Sequence, residues 1–85
     1  MKLLVVDDEA RIRELIKKYA TFEQYDVTEA ENGMQAVELC RQQDFDLIIM
    51  DVMMPDLDGF SACREIRKTS AVPILMLSAR GEEYD

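Results

Sequence analysis

Asp51 closes an apolar run, Leu47-Ile48-Ile49-Met50, and Asp7 with Asp8 closes a second, Leu3-Leu4-Val5-Val6. Short unbroken apolar runs read as strands buried on both faces, and such strands pair in parallel. The carboxyl ends of parallel strands share one edge of a sheet, beside which ligands bind. Three carboxylates are therefore expected in one crevice. Each raises the pKa of the others, so the cluster requires a cation. An all-oxygen donor set suits a hard ion, Mg²⁺ first among them. The chemistry such a site does best is to receive and hold a phosphoryl group.

Within that crevice the roles separate. A carboxylate that attacks phosphorus has to stand at the mouth, with a cation and hydrogen-bond donors neutralising the phosphoryl charge. Asp51 is the candidate nucleophile. Asp8 would ligate the ion directly, Asp7 mainly through water, and the backbone carbonyl of Met53 would add a further protein ligand. Pro55 and Gly59 shape the loop that follows. Ser78, at the end of a later strand on the same edge, offers a hydroxyl to a phosphoryl oxygen. Singly, each residue has an ordinary explanation: strand-end aspartates nucleate turns, and Asp7 or Asp8 could cap the next helix. Two adjacent acids at one strand end and a third at the neighbouring end exceed what capping needs.

The elements that must position these residues follow from periodicity. Lys2 to Val6 reads as a strand, and Ile12, Leu15, Ile16 and Tyr19 then recur at helical spacing. Val27 to Ala30 reads as a second strand, with Asn32-Gly33 as turn punctuation. Met34 to Gln43 carries a helical stripe of Ala36, Leu39 and Cys40, and Phe45 to Met50 is the most apolar strand. Met53 to Gly59 is a loop, Ala62, Cys63 and Ile66 mark the inner face of a third helix, and Pro73 to Leu77 is a fourth strand. Such alternation predicts right-handed βαβ units and a parallel sheet covered by helices on both faces. The fold class expected is α/β, a flavodoxin-like doubly wound parallel sheet, incomplete, with strand order 2-1-3-4. In that order the first and third strands are neighbours.

Composition bounds the alternatives. The 85 residues make one domain, 1–85, and 48% apolar against 33% charged residues is a globular rather than a disordered balance. A net charge of -8 argues against this stretch itself gripping DNA or an anionic membrane. No apolar run approaches membrane-spanning length, and the opening run is too short for a signal peptide, so a cytoplasmic protein is expected. Cys40 and Cys63 read as small core hydrophobes, and Met50, Met53, Met54 and Met76 as gap and loop fillers rather than copper ligands. Arg11, Arg13, Lys17 and Lys18 read as the wet face of the first helix, available for docking. With no histidine in the chain, nothing here can serve as a phosphohistidine donor, a histidine base or a histidine metal ligand.

Leu3 to Glu9, Asn32-Gly33, the spacing Asp51-x-x-x-Pro55-x-x-Asp58-Gly59, and Pro73 to Ala79 closely resemble the receiver domain of bacterial two-component response regulators. The resemblance runs over essentially the whole chain. It implies a phosphoaspartate switch in which a sensor histidine kinase phosphorylates Asp51, while Asp7, Asp8 and the Met53 carbonyl hold Mg²⁺ and Ser78 turns toward the phosphate. Phosphorylation would then rearrange a surface that drives an output domain, a transcriptional one by similarity to receivers joined to winged-helix DNA-binding domains. Receivers of this kind run to about 120 residues. The resemblance therefore implies a truncated receiver, without the fourth helix, the fifth strand with its lysine, the aromatic switch residue and the fifth helix.

Other functions fit less well. A haloacid dehalogenase-type phosphatase resembles Asp-x-Asp, whereas the second position after Asp51 is Met53. An FMN-binding flavodoxin needs hydroxyl-rich phosphate-cradling residues after the first strand, where Asp7-Asp8-Glu9 would repel the phosphate. The remaining alternatives are a phosphorylation-independent interaction module and an engineered or truncated fragment without signalling activity. Ending at Asp85 would leave Ile74 to Leu77 as an apolar edge, so homo-oligomerisation through that strand, or receiver dimerisation, is expected.

Overall fold

A computed structural model of the chain describes residues 1–77. The elements run β1 (Lys2–Val6), α1 (Ala10–Phe22), β2 (Asp26–Ala30), α2 (Gly33–Gln42), β3 (Leu47–Asp51), α3 (Gly59–Arg67) and β4 (Ile74–Leu77). All strand pairs are parallel, in the order β2-β1-β3-β4. This is the flavodoxin-like arrangement that the alternation of patterns predicts. Ser78 lies outside the described residues, as do Ala79 to Asp85.

Side-chain alternation along the strands divides the interior into two layers. Leu4, Val6, Ile48 and Met50 face α2 and α3, packing with Ala36, Val37, Ala62 and Ile66. Leu3 and Val5 face the other way and pack with Ala20 and Ile16 of α1, along with Val27, Leu47 and Ile49. Full burial of a side chain such as Leu4 or Ile48 contributes about 1.5 to 3 kcal/mol, so these central strands carry much of the driving force.

The buried face of α1 is narrower than the expected stripe. Ile16 packs toward the sheet, whereas Leu15 and Tyr19 are exposed. Apolar residues spread over about half the circumference of this helix, and among the described residues only the side toward β1 and β2 is covered. Ala20 takes the place beside Ile16, its small side chain allowing helix and sheet to approach closely.

Local chemistry sets the helix starts. The Asn32 side chain accepts from the Gln35 N–H at 2.8 Å and caps α2, so Asn32-Gly33 starts a helix besides turning the chain. The Asp58 carboxylate does the same for α3 through the Ser61 N–H, also at 2.8 Å. At α1 the cap position is Glu9, whose side chain makes no cap bond, so neither Asp7 nor Asp8 is the N-cap. Among the described residues, two that are not glycine adopt the left-handed conformation, Gln24 (φ 68) after α1 and Asp56 (φ 69) in the loop before α3. Both are turns that demand φ > 0.

Candidate functional site

Register brings the acids together. Val6 is aligned with Met50 across β1 and β3, so Asp7 and Asp51, the next residues, stand side by side at the carboxyl ends of the two central strands. Asp7 donates its N–H to the Ala30 carbonyl at 3.1 Å, tying the end of β1 to β2. The Val52 N–H bonds the Leu77 carbonyl at 2.9 Å and ties the end of β3 to β4. Single oxygens of Asp7, Asp8 and Asp51 all lie within 4.8 Å of one another. Asp7 and Asp51 are buried and Asp8 is exposed.

The electrostatics follow from that crowding. Burial, more than any other influence, pushes the Asp7 carboxyl above its ordinary pKa, and the charges of Asp51, Asp8 and Glu9 push the same way. A hydrogen bond from the Glu9 N–H to Asp7 Oδ1, 2.9 Å long, opposes them. Burial likewise raises Asp51, with Asp8 and Glu9 adding to it, while the Met53 and Val52 backbone N–H groups pull down. Two carboxyls held above their ordinary range by burial and by neighbouring acids form a donor set that a divalent cation relieves. All the donors are oxygens, which fits a hard ion such as Mg²⁺.

The loop after β3 is held close. Leu57 donates its N–H to the Pro55 carbonyl at 2.8 Å, and Gly59 donates to the Val52 carbonyl at 2.9 Å. Gly59 is the first residue of α3 and lies flat against the end of β3. A Cβ there would run into the Asp51 carbonyl oxygen and stand 2.9 Å from Val52 Cα. The Met53 side chain is exposed, while Met54 is buried in the core and Met50 fully so.

Arg13 departs from the exposed pattern expected of the basic residues of α1. Arg13 is not part of the wet face of α1: its side chain is only 14% exposed. Nη1 donates to the Asp7 carbonyl at 2.7 Å, and Nε donates to Glu29 Oε1 at 3.1 Å. Lys17 reaches the other Glu29 oxygen at 3.4 Å while remaining half exposed. The signal was present in β2, because an acid inside a predicted strand needs a cationic partner and α1 offers cations one turn apart.

A doubly wound parallel sheet with acids gathered at the carboxyl ends of its central strands is a flavodoxin-like domain with an acidic edge. The family model described as "Response regulator receiver domain" matches residues 3–85, and the chain belongs to that family. It is 52% identical over 82 residues to the transcriptional regulatory protein ResD of Bacillus subtilis, an alignment covering 96% of this chain and 34% of ResD. The chain spans about a third of the length of the curated relatives it matches. Among solved structures, it matches response regulator protein TrrA from Thermotoga maritima, in complex with Mg(2+)-BeF, with a TM-score of 0.90 and 38% identity. That match covers 98% of this chain and 73% of the other. The receiver domain of sensor histidine kinase PA1611 from Pseudomonas aeruginosa, with magnesium coordinated in its active site cleft, matches with a TM-score of 0.91 and 37% identity. There the coverage is 99% of this chain and 71% of the other. Among the described residues no helix is long and apolar enough to cross a membrane.

Proposed function

We propose that this domain is a phosphoacceptor signalling switch in which Asp51 receives a phosphoryl group from a sensor histidine kinase and thereby controls an output domain that regulates transcription. The observation that carries this reading is the placement of Asp51 beside Asp7, with Asp8 in reach, in a chain of the receiver family. Transfer makes a bond from an Asp51 carboxylate oxygen to phosphorus as the bond from phosphorus to the kinase imidazole breaks, the imidazole nitrogen leaving with the electron pair. Asp51 is a regulatory acceptor and turns over no foreign substrate. The Met53 and Val52 N–H groups favour its ionised form, the one that attacks.

Asp8, Asp51 and the Met53 carbonyl, with Asp7 acting mainly through water, would hold Mg²⁺, which supplies positive charge against the phosphoryl oxygens. The solved relatives described with magnesium support a divalent cation at such a site. In the same proposal Ser78 donates to the phosphoryl group, Pro55 and Gly59 hold the loop in shape, and the setting is one cytoplasmic receiver domain. Self-association through β4 belongs to it as well, supported by the half-exposed Leu75 on a strand paired only with β3 among the described residues.

Incubation of the intact protein with Mg²⁺ and a small phosphodonor is expected to give a hydroxylamine-labile acyl phosphate, and Asp51→Asn to abolish it. Label persisting in that variant would refute Asp51 as the acceptor. A protein that binds Mg²⁺ yet never takes up phosphate would favour a phosphorylation-independent interaction module instead.

A further inference from the structure

Three acids that repel one another are held at a fixed spacing, and something has to resist their spreading. Asp7 and Asp8 are joined by one peptide group, whose orientation sets the relative directions of their side chains. The groups around that peptide are already restrained, with the Asp7 N–H on the Ala30 carbonyl and the Glu9 N–H on Asp7 Oδ1. The carbonyl of the joining peptide is that of Asp7, and its partner is Arg13 Nη1 at 2.7 Å. Arg13 is in turn fixed from β2, since Glu29 Oε1 accepts from Nε at 3.1 Å and the arginine side chain is almost wholly covered.

We infer that Arg13 is the positioning residue of the acidic crevice, a fork that spans from Glu29 of β2 to the peptide between Asp7 and Asp8 and fixes how both carboxylates are presented. The planar guanidinium suits this because its donors point in fixed directions, so one side chain holds a carboxylate and a carbonyl at once. A lysine places one ammonium at one spot and cannot reproduce that fork. Arg13 touches neither phosphoryl group nor cation and acts only through the backbone of a ligand-bearing turn, as outer-shell partners of metal ligands do. The inference rests on the proposed Mg²⁺ site.

Mg²⁺ affinity of the intact protein, measured by calorimetry and referred to the folded fraction, tests it. Loss of an outer-shell partner costs about 10- to 100-fold in metal affinity, and a backbone-mediated contact belongs at the low end, so Arg13→Ala is expected to weaken binding about 10-fold. Arg13→Lys keeps the charge and should still bind several times more weakly than the unaltered protein. Lys18→Ala, an equal charge change on the exposed side of the same helix, should leave affinity within about twofold, because exposed charges beyond a Debye length are screened. In the metal-free protein, Arg13→Ala should shift the Asp8 and Glu9 amide resonances. Should Arg13→Ala fail to fold, Glu29→Ala releases the same fork and is expected to weaken Mg²⁺ binding likewise. Unchanged affinity in the folded Arg13 or Glu29 variants, or full recovery in Arg13→Lys, would overturn the inference and leave the proposed site standing. Absence of Mg²⁺ binding by the unaltered protein would overturn both.

Discussion

Replacing Gly59 by alanine probes the contact on which the Asp51 end of β3 rests. The added methyl meets three obstacles: the Asp51 carbonyl oxygen, Val52 Cα at 2.9 Å and Met76 Cε at 3.0 Å. Only the last is the far end of a flexible side chain. The two backbone atoms are held by the strand ladder and by the Gly59–Val52 and Val52–Leu77 hydrogen bonds, so the start of α3 has to retreat. Overpacking a rigid site costs about 3 kcal/mol at the upper end, and alanine in place of glycine in a helix returns up to about 1 kcal/mol, leaving a net loss of about 2 kcal/mol. In a domain of this size that lowers Tm by about 8 to 16 °C. Far-UV circular dichroism melts in chelator and in Mg²⁺ read both consequences, because a displaced Asp51 should also shrink the rise in Tm expected from Mg²⁺ at the proposed site. Gly33→Ala provides a comparison at the start of α2: its methyl would stand 2.6 Å from the Leu57 carbonyl oxygen and 3.2 Å from the Cβ of the buried Ala62. It should also destabilise, but without touching the Asp51 end of β3, and so leave the Mg²⁺-dependent part of Tm intact. A Gly59→Ala protein melting within about 2 °C of the parent would refute the rigidity assigned to this contact.

Ile66→Ala, at a fully buried position of α3, should destabilise by about 2 to 5 kcal/mol in urea titrations. Gln24→Gly relieves a left-handed residue at the end of α1 and should stabilise by about 0.5 to 1 kcal/mol, read as a higher urea midpoint at constant slope. For Asp7 and Asp51, folded pKa values raised above the unfolded ones mean that the folded protein holds protons the unfolded chain releases. Their contribution is full below the ordinary aspartate pKa and is lost as pH rises through the folded values. Asp51→Asn should therefore stabilise the metal-free protein at neutral pH, with the gain vanishing below about pH 4. A gain that grew on acidification would contradict the shift.

Strands were legible from sequence where burial on both faces leaves an unbroken apolar run, as at Lys2–Val6. β3 shows the limit of that signal. The expected strand runs from Phe45 to Met50, but the strand observed is Leu47–Asp51, because Phe45 buries in the core before the chain enters the ladder and Asp51 stays in it opposite Leu77. The gathering of Asp7, Asp8 and Asp51 was legible because it depends only on strand order and on runs that end together. Which side of α1 faces the sheet was not, since its apolar residues cover two overlapping stripes and Ala20 carries little hydrophobic signal. For Arg13 the sequence held only half of the signal, an acid in β2 that needs a cation. Its partners, a backbone carbonyl and an acid 16 positions along the chain, come together only through the β1–β2 register.

The order β2-β1-β3-β4 also bears on how the chain assembles as it is made. β1 is synthesised first and ends up with a neighbour on each side, β2 joins one of its edges, β3 the other, and β4 then adds outside β3. None of these four strands has to be inserted between two that already pair, so a chain emerging from its N-terminus at about 5 to 20 residues per second meets an open edge each time one of them appears. The acids arrive on the same schedule. Asp7 and Asp8 stand at the end of the first strand without a third carboxylate until β3 docks, and the strand that brings Asp51 also brings Ile48 and Met50 into the core. The repulsion built into the site is thus introduced in the same step as the apolar burial that offsets it, and the nascent sheet never has to hold the one without the other.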